Sequence, residues 1–221
     1  MPKFVAVFVG LTTRDFEGRP ATTIPDGDGV TFFDEIRLSP AGAAAGAVVN
    51  AAKLGASTAA VAGVGADEKG DFILDVYRRL GIDCSVIQRT DKSPTSATIL
   101  PIRPNDERPA FHRRGDSDRL FVVEQDVDPA CAARLLRSNI QTRDGEFQTP
   151  AFRVAGSSAV GRRDGNRGGF IGGLAEGLDL EGARRLGAAA PSPATTGLGS
   201  EAGARDRQQV RAFMKTAEPL Q

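Results

Sequence analysis

With 221 residues, 28 Lys plus Arg against 28 Asp plus Glu, 40% hydrophobic and 25% charged residues, the chain has the size and balance of one globular domain. Its formal net charge of zero leaves no global field to draw it to nucleic acid or a membrane surface. The N-terminal apolar run is too short to span a bilayer and lacks a cleavage site after it, and Cys84 and Cys131 form no CxxC, so the reading is a cytoplasmic protein with free thiols.

Residues 4–9 form a continuous apolar run of the kind found in a strand buried on both faces, and Gly10 ends it. Residues 11–25 are polar and rich in turn formers. Asp15 falls there, five residues past the glycine, in the region where open α/β sheets place ligands; its plain structural reading is a loop cap. Residues 31–38 read as a strand. Nearly uniform Ala and Val then run to Leu54, with only Asn50 and Lys53 polar, and predict a buried helix closed by Gly55 in the left-handed position past its end. A helix so poor in bulk lets two backbones, or a backbone and a ligand, come close.

The apolar run 58–62 predicts a strand that leads into Gly63-Val64-Gly65-Ala66-Asp67. A dinucleotide fingerprint fits poorly there, because no third glycine opens a helix at the required offset. Phe72, Ile73, Val76 and Leu80 mark one helical face, and Gly81 stops that helix. Alternating strand and helix favours a parallel sheet with helices on both sides. From 85 to 114 the helical period vanishes: residues 85–88, 95–102 and 108–112 are short β-type runs split by turns such as Pro104-Asn105-Asp106, the pattern of a small antiparallel sheet. His112, the only histidine, reads as a hydrogen-bonded wall residue on one of these strands, with Arg113-Arg114 a solvated edge. Residues 120–123 read as a strand, and Asp128-Pro129 opens a helix that ends near Arg137.

Asp15 after the first strand, the Gly42-centred turn with its helix ending Lys53-Leu54-Gly55, Gly63-Val64-Gly65-Ala66-Asp67 with Gly70, Leu80-Gly81-Ile82-Asp83, Pro94-Thr95 and the hairpin from Glu107-Arg108 to Gly115 together resemble the PfkB or ribokinase-type carbohydrate kinases. The resemblance covers residues 1–137 closely and resumes over 169–220. It implies a three-layer αβα domain shortened in its middle, with a β lid at about 85–114. It also implies phosphorylation of a sugar or sugar-acid hydroxyl with ATP and Mg²⁺, sugar and nucleotide as the ligands, and a homodimer formed through the lid. The acceptor site it implies consists of Asp15, Ala41, Gly42, Gly46, Thr95, Glu107 and His112, with Gly46 standing where many members carry asparagine.

The phosphate end departs from the family. Its signature is a Gly-Ala-Gly-Asp turn at a helix start, whose backbone N–H groups bind the transferring phosphate and whose aspartate takes the hydroxyl proton. Alignment back from Phe170-Ile171-Gly172-Gly173-Leu174 puts Gly165-Asn166-Arg167-Gly168 on that turn, with Gly169 next, so Gly165, Arg167, Gly168 and Gly169 would form the anion hole and Gly168 occupies the general-base position. No metal ligand is assigned, and Asp164 reads as pointing elsewhere. Residues 138–168 are rich in Arg, Gly, Ser, Asp and Gln without an apolar period, and with only Phe152 and Phe170 near, their arginines have few of the aromatic neighbours of a nucleic-acid surface. Beyond them, Asp179 caps a helix that Pro191-Ser192-Pro193 interrupts, and a last helix from about Arg205 packs through Val210, Phe213 and Met214.

The chain thus divides into a sugar-binding part with lid (1–137), an irregular connection (138–168) and a helical end of the same domain (169–221). An internal deletion with local loss of reading frame and a naturally shortened relative both account for the middle. Either way the expectation is a sugar kinase with impaired activity; the alternative is a sugar-binding pseudokinase.

Overall fold

The computed structural model describes residues 6–115, 141–142, 145–146, 162–191 and 206–216. The expected strand at 120–123, the helix at 128–137, Cys131 and most of the 138–168 connection lie outside them.

Parallel pairing of β1 (Ala6–Val9) with β4 (Thr58–Val61) starts the main sheet. The β4 chain passes through Ala62 into β5 (Gly63–Gly65), which pairs in parallel with β6 (Gln88–Thr90). A bridge between Ala59 and Asp83 extends the same pairing toward the start of β4. Every residue of β4 and β5 is buried, as expected for a parallel sheet covered on its faces. Helices α1 (Ala45–Lys53) and α2 (Glu68–Arg79) supply the cover. Val48 and Val49 of α1, Ala60 and Val64 of the sheet, and Ile73, Leu74 and Tyr77 of α2 form one core. Both expected stops hold: Gly55 (φ +86°) follows the last residue of α1 by two, and Gly81 (φ +71°) ends α2 in the same way.

A second sheet forms the lid, in the order β3-β2-β7-β8, from β2 (Thr13–Arg19), β3 (Glu35–Ala41), β7 (Ala97–Pro101) and β8 (Phe111–Arg113). It corrects three expectations. Residues 13–19 are a central lid strand rather than a loop, because the face they bury is polar and shows no hydrophobic alternation. The strand expected at 31–38 begins at Glu35, where pairing with Arg19 starts, and runs on to Ala41. The run at 85–88 is not a lid strand: Gln88 donates to the Ala62 carbonyl at 2.9 Å, and β6 belongs to the parallel sheet.

One carboxylate ties the two sheets together. Asp67 caps α2 by accepting from Gly70 N–H (2.9 Å), and it also accepts from the Thr95 hydroxyl (2.6 Å), Thr95 N–H (3.1 Å) and Lys69 Nζ (2.8 Å). Thr95 Oγ1 in turn accepts from Gly65 N–H at 2.9 Å, so the end of β5, the start of α2 and the entry to β7 meet at one point. Burial alone would raise the Asp67 pKa, but these donors outweigh it and hold the group well below the usual carboxylate range. Arg14 adds a second link, its guanidinium lying 4.8 Å from the Phe16 ring on its own strand and 4.3 Å from the Phe72 ring on α2.

Beyond a two-stranded antiparallel pair of β9 (Gln141–Thr142) and β10 (Gly145–Glu146), three helices close the structure. They are α3 (Arg162–Ala175), α4 (Leu180–Ala189) and α5 (Arg207–Thr216). Glycine is a poor helix former, yet α3 carries five, and their positions explain it. A Cβ on Gly168 would stand 2.5 Å from Asn50 Cβ and one on Gly172 2.9 Å from Leu54 Cβ, both on the α1 side. A Cβ on Gly169 would stand 2.5 Å from Ala190 Cβ and one on Gly173 2.7 Å from Ala183 Cα, on the α4 side. Asp179 caps α4 as expected, accepting from Gly182 N–H at 2.8 Å. Val210 of α5 is buried with Leu54 and Leu186, and Arg207 donates to the Leu54 carbonyl (Nη2, 2.5 Å) at the C-terminal end of α1, where a cation is favoured.

Gly42 and Gly81 give a paired test of the backbone. At Gly81 nothing lies within 4 Å of an added Cβ, so Gly81→Ala should cost about 1–2 kcal/mol from the left-handed backbone alone. At Gly42 (φ +99°) an added Cβ would also stand 2.5 Å from the Leu11 carbonyl oxygen, so Gly42→Ala should cost more. Equal urea-unfolding midpoints for the two variants would contradict this.

Candidate functional site

The register of the lid decides which side chains share a face. Asp15 stands opposite Ser39 on β3 and Thr98 on β7, Glu17 stands opposite Arg37 and Leu100, and Thr98 stands opposite His112 on β8. Residues directly paired across strands point to the same side. Asp15, Glu17, Ser39, Thr98 and His112 therefore line one face of the lid, and Phe16, Ile99 and Phe111 occupy the other.

Asp15 is hydrogen-bonded to Thr98, whose hydroxyl lies 3.0 Å from His112 Nδ1. A carboxylate only accepts, so the Thr98 hydroxyl donates to Asp15 and accepts a hydrogen bond from the Nδ1–H tautomer of His112. Glu17 has no exposed surface; its Oε1 accepts from Ser39 Oγ at 3.3 Å. Asp15 Oδ1 and Glu17 Oε2 are buried with no hydrogen-bond partner among the described residues. Burial pushes Asp15 up to about 6, against its bond to Thr98 and the charges of His112 and Arg108. Burial and then the Asp15 charge push Glu17 up to about 7, against Ser39, Arg37 and Arg108.

The turn from β3 into α1 forms the edge of this site. Ala41 ends β3 and is buried, and Gly42 packs against the Leu11 carbonyl, which accepts from Ala44 N–H at 3.3 Å. Gly46 lies in the first turn of α1. Asp164 of α3 covers it: a Cβ on Gly46 would stand 2.6 Å from Asp164 Oδ2. Sequence spacing pointed Asp164 elsewhere, yet it lies over the same turn as the acceptor-site glycines.

Two expected site residues stand apart. Thr95 is buried in the Asp67 junction, and Glu107 is an exposed turn residue, its carboxylate paired with Arg103 at 2.7 Å and lowered in pKa chiefly by that contact. Glu17, Ser39, Thr98 and Arg108 were missed from sequence. Their one trace was the polar alternation Thr13, Asp15, Glu17, which marks a face but not its burial. An open cleft of about 440 Å³ beside Pro20, Glu35 and Ile102 lies at the far end of β2, and its Arg19 is already paired with Glu35 at 2.8 Å.

Helix α3 begins at Arg162, ahead of the expected turn, so Gly165, Arg167, Gly168 and Gly169 all lie inside it. From Asn166 on, the backbone N–H groups face carbonyls four residues back, and Gly168 and Gly169 are pressed against neighbouring helices. Arg167 is exposed. Among the described residues no group of three or more His, Cys, Asp or Glu side chains could hold a metal ion.

The family model for pfkB family carbohydrate kinases matches residues 4–135. The chain belongs to the PfkB family. A curated relative, probable fructokinase-7 of Arabidopsis thaliana, is 27% identical over 107 residues, which are 48% of this chain and 31% of the relative. The match thus spans about a third of that relative's length. Ribokinase from Thermotoga maritima superposes with a TM-score of 0.75 at 17% identity, covering 96% of this chain and 100% of the other. An Escherichia coli protein solved with ATP and Mg²⁺ superposes with a TM-score of 0.75 at 13% identity, covering 95% and 99%. These matches give the PfkB chain a ribokinase-like α/β fold. No helix among its described residues is long and apolar enough to cross a membrane.

The raised Glu17 pKa makes the stability of this PfkB chain depend on pH. Its reference value is 4.5 and its folded value about 7, so as pH rises through that window the unfolded chain loses its proton first and stability falls. Over the whole window the loss attributable to Glu17 is up to about 3 kcal/mol. Glu17→Gln removes that titration, and its thermal melts should be less pH-dependent than wild type from pH 5 to 8, with the variant the more stable at pH 8. A variant less stable than wild type at pH 8 would contradict a desolvated, charged Glu17.

Proposed function

We propose that this PfkB chain binds a sugar or sugar acid against the polar face of its lid and that its phosphoryl transfer is impaired or absent. The observation that carries the reading is Asp15, a buried carboxylate held by Thr98 with one oxygen left for a ligand hydroxyl. The Ala41-Gly42 turn and Gly46 would form the wall beside it, with His112 orienting Thr98. Thr95 enters as the residue that fixes the lid, and Glu107 as a contact only if its turn moves inward.

ATP and Mg²⁺ are the expected co-substrate and metal of the family, as the E. coli protein with both bound illustrates. The described residues do not fit that role: the glycines at 165–169 are enclosed by α1 and α4, and no acidic cluster suits a cation. Gly168, expected at the general-base position, lies inside α3 and not at its start, so it supplies neither a base nor a phosphate turn. A missing general base slows proton transfer by roughly a hundred- to ten-thousand-fold. Asp164, over the first turn of α1, is the carboxylate best placed to support any residual turnover. The same features support the alternative, a non-catalytic sugar-binding pseudokinase. The free thiol of Cys84, whose pKa burial raises, suits a cytoplasmic location.

The outer face of the lid suggests self-association. Ile36, Ile99 and Phe111 share that face and are 67%, 58% and 57% exposed, an apolar surface that a second copy would cover. Sedimentation should show a dimer that Ile99→Asp converts to monomer; a wild-type monomer at high concentration would remove this part of the reading.

Calorimetry with a panel of sugars beside a coupled assay of ADP release tests the main proposal. Asp15→Asn should weaken sugar binding at least tenfold, about 1.4 kcal/mol or more, and Asp164→Asn should lower any residual ADP release. Sugar binding indifferent to Asp15→Asn would defeat the acceptor site. Wild-type turnover at the 1–100 per second usual for kinases would defeat the impairment.

A further inference from the structure

The acceptor-site reading uses Asp15 and leaves Glu17 without a task. Glu17 has no exposed surface, stands two residues along the same face of β2, and keeps Oε2 buried without a donor among the described residues, as Asp15 keeps Oδ1. Two desolvated carboxylates on one face repel each other, and two buried acceptors without donors are costly. The groups that act on them are Thr98 and His112 from β7 and β8, Ser39 and Arg37 from β3, and Arg108 from the segment before β8. The arginines act on Glu17 through space, and burial still prevails. A neutral ligand hydroxyl could fill one empty acceptor but would leave the repulsion in place. An ammonium group offers three donors and a positive charge, and its hydrogen bonds to carboxylates are roughly twice as strong as neutral ones.

We propose that Asp15 and Glu17 together form a cation-recognising subsite that selects an amino-bearing acceptor, an amino sugar, over its neutral counterpart. The inference rests on the acceptor-site reading above and names its substrate class. It requires Glu17 to be ionised in the complex, whereas burial favours its proton in the free protein. Binding of the ammonium therefore expels a proton.

The test is calorimetry at pH 7 on the full chain, with 2-amino-2-deoxyglucose and 2-amino-2-deoxygalactose against glucose and galactose, repeated in buffers of different ionisation heat. Wild type should bind an amino hexose at least tenfold more tightly than its parent, with a buffer-dependent enthalpy that reports proton release. Glu17→Gln should lose both the preference and the proton release. Equal affinity for amino and neutral hexoses, or a preference that survives Glu17→Gln, overturns the proposal and leaves the acceptor site standing. If a chain with an intact thermal melt binds no hexose of either kind, the acceptor site falls and the proposal falls with it. Should the variant fail to fold, proton release by wild type decides the matter.

Discussion

Helix α3 meets α1 through glycines, with no side chain of its own at 168 or 172 to hold the two apart. Gly46, Ala47 and Ala51 on one and Gly168 and Gly172 on the other bring the two backbones into direct contact, close enough that a Cβ at 168 would stand 2.8 Å from the Ala51 nitrogen. Much else depends on that approach. It seats Asp164 over the first turn of α1, brings α4 up behind α3 through Gly169 and Gly173, and leaves the C-terminal end of α1 where Arg207 reaches its last carbonyl. A helix with five glycines has little reason to form alone, so its stability comes from the neighbours that the glycines admit.

The lid depends on a different kind of contact. Asp67 and Thr95 join it to the main sheet through charge-assisted hydrogen bonds, which fix direction where apolar packing would fix only proximity. With its root held, the lid can bury a polar face on which Asp15 Oδ1 and Glu17 Oε2 find no donor among the described residues. Its other face exposes Ile36, Ile99 and Phe111. Ordinary soluble sheets bury the apolar face and expose the polar one, so the lid inverts the usual arrangement.

How far the fold was legible follows from the same contrast. The strand-helix alternation to residue 81, the glycine stops at Gly55 and Gly81 and the cap at Asp179 could be read because each rests on local backbone chemistry. Strand β2 could not, since its buried residues include Thr13 and Glu17 and period-two burial leaves no apolar trace. Strand β6 has three residues, too few for any period. Family order drew attention to Asp15, Gly42 and His112 but not to Glu17, because nothing in a polar strand says which carboxylate is dry. The start of α3 was misplaced because alignment transfers a motif's position and not the helix around it.

The contact at Gly168 also limits what that position can become. A carboxylate placed at that position today would need room that Asn50 and Ala51 already occupy, and the helix would have to withdraw from α1 to accept it. Close packing of this kind works as a ratchet: each side chain that position 168 could take demands matching changes in α1. A single codon change there would first cost the fold a close helix contact.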